Sequence, residues 1–231
     1  MAYLSMLAFY RITVQFGDFV DGYPRFLRRR IVAISNPIFQ VNSRADPGEP
    51  TKRLFRMLFV GRFDRTQKQP GILLDAFCSL APDHQDWELI MLGDGDEKVA
   101  LTNQVIELGL QDQITLLPSQ PDIGDFYQTA DLFVIPSLWE GSPNALSEAM
   151  AYGLPAVGFE VDGVKQLIEH KRTGWLCPAI GTTEFAQTLT NAMQAKSQFR
   201  EFGQRARDIT KAYSEDSIGQ SWNDLILSLE E

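Results

Sequence analysis

The chain is short of cysteine: Cys78 and Cys177 are the only two among 231 residues. Two thiols cannot build the disulfide framework of a small secreted fold, and such usage fits a reducing compartment. Neither has metal-ligating company. Histidine is equally scarce. His84 and His170 sit in the polar stretches PDHQD and EHKRTG, away from any nucleophile, and both read as surface residues. Long apolar runs are missing, and no stretch approaches the ~18 apolar residues a membrane span requires. MAYLSMLAFY is apolar but short, without the basic start or cleavage pattern of a signal peptide. Positive charge is also in deficit, with 21 Lys and Arg against 30 Asp and Glu and a net charge of −9. A nucleic-acid surface needs the reverse balance. There are no repeats and no low-complexity tracts.

What is present is ordinary globular material, 44% hydrophobic and 22% charged. Such a length fits one domain, or one and a fragment. Folding removes about 70% of the surface such a chain exposes when unfolded, so it can hold a real core.

Apolar runs and Gly/Pro punctuation place the elements. Arg11–Gln15 and Ile31–Ile34 are short strand candidates, with the basic cluster FLRRR between them. VNSRADPGEPTK reads as a linker. From Leu54 the pattern becomes regular. Strands are expected at LFRMLFVG, 87–92, 114–117, 132–135, 156–159 and 174–177. Helices are expected at 70–80, 96–108, 123–129, 143–152 and 164–169, with three more at 182–195, 197–212 and 215–229. Strands alternating with helices predict an α/β fold, a Rossmann-like parallel sheet with helices on both faces. The expected division is 1–35 as an amino-terminal remnant and crossing, 36–52 as linker, and 53–231 as the main domain.

The richest stretch is DLFVIPSLWEGSPNALSEAMAYGLP, residues 131–155. It reads as strand, loop and helix. Ser142 is the expected N-cap and Pro143 the first helical residue. The free N–H groups of Asn144, Ala145 and Leu146 would then face out from a helix N-terminus, an anion site. Glu140 precedes them and Glu148 follows. A carboxylate accepts two hydroxyl hydrogen bonds, as a sugar diol offers. A nucleoside diphosphate carries both a phosphate and a diol. A capped helix with two solvated glutamates is the plain alternative.

PSLWEGSPNALSEAMAYGLPAV resembles the Glu-x7-Glu segment of retaining glycosyltransferases with the GT-B fold, family 4 type. LFVGRFDRTQK, LIMLGDGDE and DIGDFYQTADLFVIPS resemble that family's other strand-loop segments. The likeness covers about residues 31–229. It implies the carboxyl-terminal, donor-binding half of that fold, acting with retention on a nucleotide sugar and an acceptor hydroxyl of a glycan, lipid or small molecule. It implies that Glu148 holds the ribose and Glu140 lies beside the donor sugar. It implies that Arg62 and Lys68 neutralise the diphosphate leaving group, with Arg65 as a substitute. The family's spacing is usually one residue shorter there, and Gln69 stands where glycine is common. Gly61, Gly93, Gly141, Leu117, Pro118, Ile123 and Gly163 would line the nucleotide sugar. The base is contacted by backbone in the 117–123 loop, where Pro118 replaces the usual glycine; UDP is favoured over GDP or ADP. Gly163 is one glycine where the family has two, and Gln166 replaces a frequent glutamate.

Asp94-x-Asp96 matches the metal motif of the other large glycosyltransferase fold. The expectation here is instead a tight turn with Asp96 capping the next helix, no metal and no cofactor. Trp139 either lines the sugar pocket or packs on the domain. The implied localisation is cytoplasmic, with FLRRR available for peripheral contact at the inner membrane face or simply solvated. The family's amino-terminal domain would be reduced to roughly 30 residues, too few to bury a core of their own. That remnant is expected to leave RITVQ unpaired, to expose MLAFY and RITVQF, and to favour self-association. A catalytically silent nucleotide-binding module and a GT-B sugar-nucleotide epimerase are the competing readings.

Overall fold

The computed structural model describes residue 3, residues 5–49, residue 51 and residues 54–229. The expected linker's Pro50 and Lys52, and the boundary at 52/53, lie outside these described residues. The amino-terminal part holds β1 (Ile12–Val14), the short helix α1 (Arg25–Arg28) and β2 (Ile31–Ala33). The larger unit follows as β3 (Phe55–Val60), α2 (Pro70–Leu80), β4 (Trp87–Leu92), α3 (Lys98–Glu107) and β5 (Ile114–Leu117). Then come α4 (Gly124–Thr129), β6 (Leu132–Ile135), α5 (Asn144–Ala151), β7 (Ala156–Phe159) and β8 (Gly174–Cys177). The helices α6 (Thr182–Gln194), α7 (Phe199–Thr210) and α8 (Glu215–Leu227) complete it.

Strands β3 to β8 form a six-stranded sheet in the order β5-β4-β3-β6-β7-β8. Every pairing is parallel. The chain builds outward from β3 to β5, returns to the middle at β6, and builds outward the other way. The reversal therefore falls between β3 and β6, where Met57 pairs with Leu132 and Leu58 with Phe133.

The strands are buried on both faces because side chains alternate. Met57 and Phe59 point to one core with Leu73 and Phe77 of α2, and with Phe185 and Leu189 of α6. Leu58 and Phe133 point to the other with Tyr127 of α4, and with Leu146 and Met150 of α5. The expected fold class is the one found.

Several local expectations are corrected. β1 is not unpaired; Ile12, Thr13 and Val14 pair in parallel with Ile31, Val32 and Ala33. The amino-terminal part also has a small core, Val14, Leu27 and Ile31. Phe16 of RITVQF is buried and sits edge-on to Tyr213 with ring centroids 6.4 Å apart. In MLAFY, by contrast, Leu7, Phe9 and Tyr10 are exposed. Helix α8 returns to this end of the molecule, where Ile218 and Leu225 bury Ile34.

The helix expected at 96–108 starts at Lys98, and Asp96 does not cap it. The stretch 164–169 is a run of turns, not a helix. Gly163 N–H donates to the Gln166 side chain at 2.6 Å, which closes a turn in place of a helical start. At α5, Pro143 occupies the cap position and Ser142 makes no cap hydrogen bond. Segment 36–49 lies along the larger unit. Ile38 N–H donates to Tyr213 O, Ala45 N–H to Tyr152 O, and Gly48 N–H to the buried Asp131.

Candidate functional site

The loops after β3 and β6 leave neighbouring strands at the point where strand order reverses. In open α/β sheets this crevice is where ligands bind. Gly61 ends β3, and its N–H donates to Leu92 O. A Cβ on Gly93 would sit 1.9 Å from Gly61 O, so glycine at 93 lets the two loops run side by side. Its reason is packing.

From the first loop, Lys68 Nζ reaches Glu140 Oε1 at 2.6 Å. Gln67 Nε2 lies 3.4 Å from Glu140 Oε2 and 3.2 Å from Trp139 O. Arg62 Nη2 donates to Gln67 Oε1 at 3.2 Å. Arg62, Gln67, Lys68 and Glu140 thus form one connected polar cluster. Gln67 and Glu140 are buried, while the Arg62 side chain is 71% exposed. Gln67 was not picked out in sequence, because a glutamine between two cations has no pattern of its own. Arg65 is turned away, bound to Glu97.

Gly163 closes the other side of Glu140. Its φ is +86°, and an added Cβ would lie 2.4 Å from Glu140 O. Both the backbone conformation and the close approach call for glycine. Gly141, in contrast, has open space around it. Trp139 is 58% exposed, so of its two alternatives, lining the pocket or packing on the domain, the second is not what the structure has.

The N-terminus of α5 opens beside this cluster. Its first intrahelical donor is Ser147 N–H to Pro143 O. The N–H groups of Asn144, Ala145 and Leu146 take no hydrogen-bond partner among the described residues. Asn36 Nδ2 donates to the Asn144 side chain at 3.2 Å, tying segment 36–49 to this end of α5.

Glu148 lies one turn further along. Two clefts of about 220 Å³ each meet at it. Asn36, Phe39, Asn144 and Glu148 line one. Phe39, Ile123, Tyr127, Glu148 and Tyr152 line the other. Leu117 and Pro118 line neither cleft. Tyr127 O–H donates to Glu148 Oε2 at 2.9 Å, and Tyr152 stacks on Tyr127 with centroids 5.2 Å apart. Burial pushes the Glu148 carboxyl above the ordinary glutamate range, against the lowering effect of the Tyr127 hydrogen bond. Burial, with the Glu148 charge beside it, pushes the Tyr127 phenol well up. Phe39 and Tyr127 were missed in sequence: one stands in an apparent linker, the other in an amphipathic helix where a tyrosine reads as core.

Both oxygens of Asp94 have protein partners. One oxygen pairs with Lys98, and the other accepts from Ser119 N–H at 2.8 Å. The Lys98 hydrogen bond holds its carboxyl below the usual range, and the Ser119 bond adds to this. Asp96 is exposed and takes no part. Among the described residues no cluster of His, Cys, Asp and Glu suits a metal ion. His170 is exposed and accepts Leu176 N–H at 3.0 Å, and His84 is half-buried. In FLRRR, Arg28 is held by Asp21 and Tyr23 O, and Arg30 by the carbonyls of Leu7 and Phe9. Among the described residues no helix is long and apolar enough to cross a membrane.

A family model described as glycosyl transferases group 1 matches residues 41–209. The chain belongs to that family. An "Uncharacterized glycosyltransferase" of Haemophilus influenzae is 29% identical over 205 residues, covering 87% of this chain and 56% of the relative. The N-acetyl-alpha-D-glucosaminyl L-malate synthase of Bacillus anthracis is 28% identical over 152 residues, 66% of this chain and 39% of that protein. Among solved structures, the pneumococcal O-GlcNAc transferase GtfA in complex with UDP and GlcNAc superposes with a TM-score of 0.85 at 17% identity. It covers 99% of this chain and 47% of GtfA. Anabaena Alr3699/HepE in complex with UDP and glucose gives 0.79 at 21% identity, covering 95% and 63%. These structural likenesses show the fold, that of GT-B glycosyltransferases. The chain spans about half the length of the relatives it matches.

Proposed function

We propose that this chain is the donor-binding half of a retaining glycosyltransferase of the family 4 type, with a UDP-sugar as the favoured donor. One observation carries the reading. The loops after the adjacent strands β3 and β6 bring Arg62, Lys68 and Glu140 into one cluster beside the open N-terminus of α5. In this reading Glu148 accepts the two ribose hydroxyls, and the amides of Asn144, Ala145 and Leu146 meet the diphosphate. The macrodipole and oriented N–H groups favour an anion there. Arg62 and Lys68 stabilise the charge that develops on the departing diphosphate. Glu140, positioned by Lys68, Gln67 and Gly163, lies beside the sugar. Gly61, Gly93, Gly141, Leu117, Pro118, Ile123 and Gly163 shape the walls, and no metal or cofactor enters. Relatives solved with UDP support the choice of nucleotide.

The acceptor hydroxyl of a glycan, lipid or small molecule would come from across the cleft. Arg62 and Trp139 stand open to solvent, so closure over the donor needs a second unit to exclude water and orient the acceptor. The 231-residue chain by itself is therefore expected to bind UDP and to transfer nothing. The test is calorimetry with UDP on the chain and on Glu148→Ala, followed by a radiolabelled UDP-sugar assay with a panel of acceptors. Equal UDP affinity in the two proteins removes the ribose role of Glu148. Robust transfer by the monomeric chain removes the need for a second unit.

A further inference from the structure

A second concavity among the described residues lies away from this site. A cavity of about 880 Å³ lies at the opposite end of α5, between segment 44–47 and α7. That volume lies within the range of small-molecule pockets. Four guanidinium groups reach it, from Arg44, Arg200, Arg205 and Arg207, against two carboxylates, Asp46 and Glu201. Both carboxylates are taken. Arg200 Nη2 pairs with Asp46 at 2.7 Å, and Arg205 pairs with Glu201.

Two cations are left over. Arg44 is exposed and has no hydrogen bond or ion pair among the described residues. Arg207 Nη2 donates to Val41 O, but its Nη1 is buried with no partner. A buried donor without a partner is rare and calls for a reason. The rest of the wall is mixed: Ala45, Pro47 and the end of α5 at Tyr152 and Gly153 form an apolar part, and Ser197 and Gln204 a polar one. Tyr152 O, the carbonyl that could repel an anion there, is already occupied by Ala45 N–H at 2.9 Å. The first turn of α7, the positive end of that helix, also borders the space.

We propose that this cavity binds a phosphate monoester carried on a ring or short apolar body, with Arg44 and Arg207 as its anion ligands. A phosphate monoester carries about −1.5 to −2 charge at pH 7, which two guanidiniums match with bidentate geometry. The apolar part of the wall takes the organic body. The cavity is separate from the polar cluster at Glu140, so this assignment does not depend on the nucleotide reading.

The experiment titrates the full chain with phenyl phosphate and with phenol by calorimetry. A parallel arm measures co-sedimentation with phosphatidic acid vesicles and with phosphatidylcholine vesicles, to separate a soluble phosphate from a lipid headgroup. Phenyl phosphate or phosphatidic acid should bind, and the two controls without a phosphate monoester, phenol and phosphatidylcholine, should not. Arg44→Glu, at an exposed position, should weaken that binding at least tenfold; Arg44→Lys should retain part of it. Arg62→Ala should leave it unchanged. Absence of binding in both arms overturns the proposal. So does binding that survives Arg44→Glu, or binding lost in Arg62→Ala, which would place the phosphate at the other end of α5. The nucleotide reading is scored separately, by UDP titration of the same proteins.

Discussion

Lys68 Nζ lies 2.6 Å from Glu140 Oε1, with only 19% and 5% of the two side chains exposed. Such a pair is costly to break from one side, because the remaining charge stays buried without its partner. Lys68→Met is expected to lose about 3–5 kcal/mol of stability. Lys68→Met combined with Glu140→Gln should recover a large part of that loss. Urea unfolding of the three proteins measures it. A single-mutant loss below ~1 kcal/mol would class the contact with exposed salt bridges.

Glu148 and Tyr127 make the second prediction. Hydrogen bonds to charged groups contribute about 1.5–3 kcal/mol, so Glu148→Ala should weaken UDP binding roughly 10- to 150-fold. Glu148→Gln should lose less, because its amide oxygen still accepts one bond. Tyr127→Phe keeps the carboxylate but frees it from its anchor, and should fall between wild type and Glu148→Ala. Calorimetry at fixed salt gives the order; Tyr127→Phe weaker than Glu148→Ala would mean that Tyr127, not Glu148, meets the nucleoside.

The third concerns pH. The Glu148 carboxyl is raised in the folded chain, chiefly by burial. A raised folded-state pKa contributes stability below the unfolded pKa, and that contribution is lost as pH rises through the folded pKa. At neutral pH the ionised, half-buried carboxylate therefore lowers stability. Glu148→Gln should melt at a higher temperature than wild type at neutral pH, with the difference shrinking on acidification. Nucleotide affinity should run the opposite way, falling as pH drops through the raised pKa, above the range of an ordinary glutamate. Melting curves and UDP titrations across that window check both; a Glu148→Gln melting difference independent of pH would show that the effect is not titration of Glu148.

The fourth separates cation-held from metal-held phosphate. With Arg62 and Lys68 as the cations, EDTA should leave UDP affinity unchanged and added salt should lower it. Loss of binding in EDTA, restored by Mg²⁺ or Mn²⁺, would return Asp94 and Asp96 to the argument. Asp94→Asn should act on structure, by loosening the bond to Ser119 N–H at 2.8 Å. Faster hydrogen exchange at Ser119 is the readout.

The six central strands were legible because each is a short apolar run closed by glycine, proline or a polar turn. Their parallel pairing follows from the alternation with helices; their order in the sheet does not. The pairing of Lys68 with Glu140 was not legible, since nothing local marks a contact between residues 72 apart in sequence. The turns at 164–169 look helical in sequence because apolar residues recur at Val164, Leu167 and Ile168. The competing feature is one side chain, Gln166, which captures the Gly163 N–H. Likewise β1 seemed partnerless because β2, though legible as an apolar run, carries no local mark that it pairs with β1. Phe39 went unnoticed because a lone aromatic in a polar, proline-rich segment has no period to betray it.

The return of α8 to Ile34, and the meeting of Phe16 with Tyr213, carry a temporal consequence. A ribosome adds about 5–20 residues per second. Phe16 and Ile34 therefore emerge on the order of 10–40 seconds before the residues that cover them. During that interval the large sheet can close on its own local crossovers, while Phe16 and Ile34 wait uncovered. The amino-terminal segment of this chain is thus sealed only after the sheet that follows it has been made.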